Sequence, residues 1–125
     1  MITALYPGRF QPPHLGHIIT AMRLYKDYDK IIIGITEAEP RFMKPEKVKS
    51  IFDEVFQHIP KYDVIIIRGK DWMEHIPYDT NVIITGNDNS IERLKKRNIK
   101  YRKIERADGI GFRGSELRKL AGIEC

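Results

Sequence analysis

Cysteine is almost missing from these 125 residues: the only one is Cys125, the last. A lone thiol has no partner in the chain, so a disulfide framework is excluded and a reducing compartment is the natural setting. No apolar run approaches 18 residues, which removes a membrane-spanning helix and a membrane partner from the expectations. The chain enters a strand-like pattern directly, with no secretory leader, so a cytoplasmic location is expected. Acidic side chains are the minority charge, 17 against 22 basic, for a net +5. That balance suits a phosphate-rich ligand, would also suit nucleic acid, and is equally the mark of a mixed solvated surface. Nucleic acid is not expected, because neither interleaved aromatics on paired strands nor a recognition-helix pattern is present. Repeats, low-complexity tracts and linkers are also missing. The length is that of one domain, residues 1–125, and 42% hydrophobic residues give it a core without staples.

What is present is an alternation. "MITALY" (1–6) reads as a first strand, and residues 15–28 carry Ile18, Ile19, Met22 and Tyr25 at helical spacing. "KIIIGI" (30–35) and "YDVIIIRG" (62–69) are continuous β-branched runs of the kind buried on both sheet faces. Between them lie a loop (36–45) and an amphipathic helix (46–59) with Val48, Ile51, Phe52 and Val55 on one stripe. "KDWMEHIPYD" is a short helix or loop. "NVIITG" (81–86) is a fourth strand, "NSIERLKKRN" a short helix, "IKYRKI" a fifth strand, and 109–122 a loop feeding a last helix. Strands alternating with helices predict an α/β fold with a five-stranded parallel sheet. Ligand sites in such sheets lie beyond the carboxyl ends of the strands. Three stretches there are chemically loaded: 7–17, 36–45 and 86–90.

In "YPGRFQPPHLGH", Gly8 permits a bend or a close ligand approach, and Pro12 and Pro13 stiffen the entry to the helix. The helix starts near His14, so free backbone N–H groups and the positive dipole end face an anion there. His14 and His17, three apart, share one face of the first turn. Gly16 opens room between them, and Arg9 adds a positive fork. The plain alternative is that both histidines cap the helix. Zinc would need further ligands, and His58 and His75 lie in other segments; no metal site is expected. A Ser-His-Asp arrangement lacks an organised nucleophile.

"GRFQPPHLGH" (8–17) resembles the H-x-G-H signature of the nucleotidyltransferase superfamily. Its Gly-Arg-Phe-Gln-Pro lead is similar to the archaeal-type nicotinamide-mononucleotide adenylyltransferases, where cytidylyltransferases usually read Gly-Thr-Phe-Asp. "PYDTNVIITGNDNSIERLKKRNIKYRKI" (77–104) resembles the family's strand, Gly-Asn turn and Arg-Leu helix. "FRGSELRKL" (112–120) resembles its second signature, Ser-Gly-Thr-x-x-Arg, with Arg113 in place of the first serine and Ser115 in place of the threonine. Lys47 stands where the family carries an arginine, and "RADGIG" (106–111) is reminiscent of the Arg-Thr-Glu-Gly of cytidylyltransferases.

The resemblance implies a Rossmann-like three-layer fold and transfer of AMP from ATP to nicotinamide mononucleotide, giving NAD and pyrophosphate, with Mg²⁺ accompanying ATP. The alternatives it leaves are a cytidylyltransferase or other adenylyltransferase of a small phosphorylated acceptor, and a non-catalytic nucleotide-binding module. His14, His17 and Arg118 would be catalytic. Gly8, Arg9, Phe10, Gln11, Gly16, Gly86, Asn87, Asp88, Arg113, Gly114 and Ser115 would bind nucleotide; Trp72, Arg41 and Lys44 would bind the acceptor. Ser115 and Arg118 share one helix face and would form a second phosphate cradle beside a helix N-terminus. Relatives are often homo-oligomers, and the resemblance carries that expectation.

Overall fold

Five short segments, the first four mainly apolar, pair side by side in a computed structural model that describes residues 1–39 and 42–105. They are β1 (Thr3–Gly8), β2 (Lys30–Thr36), β3 (Tyr62–Ile67), β4 (Val82–Thr85) and β5 (Tyr101–Lys103). All neighbours are parallel, in the order β3-β2-β1-β4-β5. The helices are α1 (Leu15–Arg23), α2 (Pro45–Phe56) and α3 (Asp88–Lys96), and Trp72–His75 form one 3-10 turn. The expected loop and last helix of 109–122 lie outside the described residues.

Side-chain alternation along the strands separates two apolar layers. Ala4, Tyr6, Ile31, Ile33, Ile35, Val64 and Ile84 face Ala21 of α1, Leu24 at its C-cap, and Val48, Phe52 and Phe56 of α2. Leu5, Ile32, Ile67 and Ile83 face Met73 of the 3-10 turn and Leu94 of α3. The chain steps from β1 through β2 to β3 with helices on one face. It steps the opposite way from β4 to β5 with α3 on the other face. A single crossover hand requires that arrangement, and it yields the three-layer α/β fold expected.

Element ends differ from the sequence reading for local reasons. β1 runs two residues further, to Gly8. Helix α1 stops at Arg23 rather than 28, because Leu24, Tyr25 and Asp27 bond to carbonyls three residues back, a tightened terminal turn. Helix α2 ends at Phe56 rather than 59, with Gln57 as its C-cap. Strand β3 ends at Ile67, and Gly69 turns the chain away at φ +103°.

Gly34, in the middle of β2, is fixed by packing. A Cβ there would lie 2.7 Å from Ile67 Cδ1 and 3.0 Å from Leu5 Cδ1. Both are flexible ends, so Gly34→Ala is expected to cost ~1–3 kcal/mol by overpacking, and Gly34→Val more. The urea midpoint checks this; an unchanged midpoint in Gly34→Val contradicts the packing.

Candidate active site

The ladder between β1 and β2 runs through six residue pairs, up to Gly8 opposite Ile35. Between β1 and β4 it holds for two, Ala4 with Val82 and Leu5 with Ile83. Beyond these pairs β1 and β4 part at their carboxyl ends. Their following helices go to opposite faces, so this is the switch point of the sheet, where a crevice forms.

The turn from β1 into α1 lines that crevice. Phe10 has φ 54°, an uncommon backbone state for a bulky residue. It carries the ring inward, 4% exposed, with ring centroids 5.4 Å from Tyr6, 4.8 Å from Phe52 and 4.8 Å from His17. The space a Cβ on Gly8 would need is taken by this ring, with Phe10 Cζ at 2.9 Å. Gly8 therefore makes room for Phe10 under the site. Gln11, buried, bonds to the main chain at Phe42 and Met43, and the Gln11–Pro12 peptide is cis.

His14 is the N-cap of α1. Its Nδ1 accepts the Gly16 N–H at 3.0 Å, and His17 Nδ1 accepts the His14 N–H at 3.2 Å. The two bonds form a reciprocal capping box built from imidazoles. The rings stack, centroids 3.7 Å apart. A backbone N–H only donates, so both Nδ1 atoms hold lone pairs and the ring proton sits on Nε2. Each imidazole is thus a donor through Nε2–H and has no acceptor left for a base's work. Gly16 is buried beneath them, and Thr20 Oγ1 donates to its carbonyl at 2.8 Å. Capping and anion binding are compatible here: Nδ1 serves the helix, and Nε2–H is a donor of the kind a phosphate oxygen takes.

The other expected positions fall around the same ends of the sheet. Gly86 follows β4. Asn87 is the N-cap of α3, its Oδ1 accepting the Ser90 N–H at 3.0 Å, and exposed Asp88 pairs with Lys103 at 3.1 Å. Lys44 is exposed at the N-cap of α2. Trp72 is half-buried on the opposite face, against the layer holding Met73 and Leu94. Arg41, Arg113, Gly114, Ser115 and Arg118 lie outside the described residues.

Sequence reasoning missed Asp71. Its carboxylate caps the 3-10 turn through the Met73 N–H at 3.1 Å and bridges Arg93 of α3 and Arg97 at the C-cap of that helix. The arginines stand four apart, a spacing legible only as a basic helix face until the fold brings Asp71 beneath it. Hydrogen bonding from Arg93 is the largest influence holding this carboxyl below the usual range, with Met73 N–H and Arg97 adding to it against partial burial. A depressed carboxyl contributes stability that is present above its unfolded value, about pH 4, and lost as pH falls through the folded one. Acid unfolding of Asp71→Asn is expected to lack part of the wild-type loss below about pH 4; superimposable pH profiles would remove this role.

Among the described residues, no three His, Cys, Asp or Glu side chains cluster to hold a metal. The groups at the turn are N–H donors suited to anions, whereas Mg²⁺ takes oxygen ligands. The described residues do not fit a magnesium cage.

A cytidylyltransferase-like family model matches residues 5–57, the region from β1 through α2. A nicotinamide-nucleotide adenylyltransferase of Methanolobus tindarius is 32% identical over 95% of this chain and 76% of its own length. A phosphopantetheine adenylyltransferase of Herminiimonas arsenicoxydans is 33% identical over 69% of this chain; the chain spans about half, 54%, of that relative. Among solved structures, a bifunctional NMN adenylyltransferase/ADP ribose pyrophosphatase of Francisella tularensis superposes with a TM-score of 0.72 at 18% identity. That match covers 98% of this chain and 43% of the other.

Proposed function

We propose a function from one premise: the chain belongs to the nucleotidyltransferase superfamily, in the family of the archaeal nicotinamide-nucleotide adenylyltransferases. It transfers AMP from ATP to nicotinamide mononucleotide. A phosphate oxygen of the acceptor attacks the α-phosphorus of ATP, the bond to the bridging oxygen of the β-phosphate breaks, and pyrophosphate leaves as NAD forms. The observation that carries this reading is the pair of stacked imidazoles at the start of α1, each held through Nδ1 and so protonated on Nε2.

Phosphoryl transfer of this kind needs alignment and positive charge more than covalent help. His14 donates to an α-phosphate oxygen, and His17 to the charge that develops as the leaving bond lengthens. The N–H groups of the first turn of α1 add the helix dipole. Arg9, with Arg118 and Ser115 from the second signature, holds the triphosphate tail; Arg113, Gly114, Gly86, Asn87 and Asp88 complete the nucleotide side. Trp72, Arg41 and Lys44 serve the acceptor. Mg²⁺ carried in with ATP would supply further positive charge to the phosphates without a protein cage. The 125 residues act as one domain in the cytoplasm, without nucleic acid, in a homo-oligomer. Support for the cellular setting is the lone cysteine; among the described residues no helix is long and apolar enough to cross a membrane.

Purified protein with Mg²⁺, ATP or CTP, and nicotinamide mononucleotide, 4′-phosphopantetheine or a polyol phosphate tests the assignment. NAD and pyrophosphate are expected from the first acceptor with ATP. Pyrophosphate released only with CTP and a polyol phosphate, or only with 4′-phosphopantetheine, overturns the acceptor and donor. Nucleotide binding with no pyrophosphate from any pair overturns the catalytic reading.

A further inference from the structure

Gln11 lies three residues before His14, and its side chain is 4% exposed. Its amide reaches a segment more than thirty residues away. Oε1 accepts from the Phe42 N–H at 2.9 Å and the Met43 N–H at 2.8 Å, while Nε2 donates to the Met43 carbonyl at 3.0 Å. One side chain thereby pairs with both main-chain groups of Met43, as a neighbouring strand would. A carboxamide alone among uncharged side chains offers an acceptor oxygen and an N–H₂ donor in one plane. Removing it strands three main-chain groups of the loop joining β2 to α2.

That loop stands beside the crevice, since β2 is the neighbour of β1 and Ile35 is level with Gly8. Among its described residues, none between Thr36 and Pro45 is in a strand or helix. Glu37 Oε1, accepting the Gly69 N–H at 3.0 Å, ties the start of the loop to the end of β3; its far end is held by the Gln11 amide and by the Met43 side chain, which packs on the layer holding Phe10 and Phe52. It presents Phe42, 45% exposed, and the exposed Lys44.

We infer that Gln11 is a positioning residue for the phosphorylated acceptor: it latches the β2–α2 loop to the turn that carries both histidines and so sets the wall against which the acceptor lies. It touches no reacting atom. The inference rests on the adenylyltransferase reading above and moves Gln11 from a ligand contact to a support.

Gln11→Leu keeps the volume and breaks every bond of the latch. Gln11→Glu keeps the acceptors and loses the donor. Amide hydrogen exchange at Phe42 and Met43 is expected to quicken about tenfold or more in Gln11→Leu, as local opening becomes easy. The KM for nicotinamide mononucleotide is expected to rise about tenfold, with kcat within about threefold, the pattern of lost orientation rather than lost chemistry. Gln11→Glu should show a smaller rise, and it decides by the same measurements if Gln11→Leu does not fold. Unchanged exchange, unchanged KM, or a fall in kcat alone overturns the latch. Should wild-type protein release no pyrophosphate, the transferase reading fails separately. Calorimetric affinity for nicotinamide mononucleotide then judges the latch. About tenfold weaker binding in Gln11→Leu supports it; equal binding, or none to wild type, overturns it.

Discussion

Turnover is expected to fall about 10²-fold or more in both His17→Ala and His17→Asn, the scale of one lost donor to a developing charge. Only the alanine protein is expected to lose stability as well. The two variants separate what one ring does twice. The side-chain oxygen introduced by His17→Asn would take the place of Nδ1 and accept the His14 N–H, which lies 3.2 Å from Nδ1 in the wild type. It offers nothing in place of Nε2–H toward a phosphate. Alanine removes both atoms and opens half of the capping box, a loss of about 0.5–2 kcal/mol. Steady-state pyrophosphate release and the urea midpoint, measured on both proteins, distinguish the roles. Near-normal turnover in His17→Asn would show that the Nε2 side does no catalytic work. Equal stability of the two variants would dispose of the cap.

Phe10→Ala is expected to be the most damaging single change in the described core, costing ~3–5 kcal/mol and lowering Tm by about 10 °C or more. The ring is wedged among Tyr6, Phe52 and His17, each edge-on within 5.4 Å between centroids. Deleting it leaves a cavity under the site and removes the surface on which the His17 ring rests, so kcat should fall with stability. Phe10→Gly is expected to be no less stable than Phe10→Ala. A left-handed backbone at φ 54° disfavours a Cβ by about 1–2 kcal/mol, which offsets the extra freedom glycine gains in the unfolded chain. Phe10→Leu, filling most of the volume, should fall between wild type and alanine. Calorimetric Tm values across the three variants test the wedge. A Phe10→Ala protein as stable as wild type contradicts it, and alanine well above glycine contradicts the backbone argument.

The strands were legible because "KIIIGI", "YDVIII" and "NVIITG" have too many consecutive β-branched residues for a half-solvated element, and segments between them repeat at helical spacing. The order β3-β2-β1-β4-β5 was not legible, because alternation of strands and helices does not say at which edge of β1 the fourth strand joins. Helix ends were less legible: Tyr25 continues the apolar stripe of α1, yet the chain has already tightened at Leu24. At the site, the three-residue spacing of His14 and His17 carried both meanings at once, since N-cap and N3 positions also share a face. Where the side chains of Phe10 and Gln11 lie was hidden for a different reason. Their place beside the histidines is local, but the direction of their side chains is set by a left-handed residue and by partners in Met43 and Phe52, more than thirty positions away. No local pattern encodes such a partner, and the same holds for Asp71 beneath Arg93 and Arg97.

The imidazole capping box carries a lesson about inheritance. A descendant that no longer turns over substrate still benefits from both histidines, because losing either frays the first helix at the centre of the molecule. Selection for folding alone therefore preserves the signature. A copy of this chain selected for folding alone is expected to keep His14 and His17 while side chains that touch only substrate drift first.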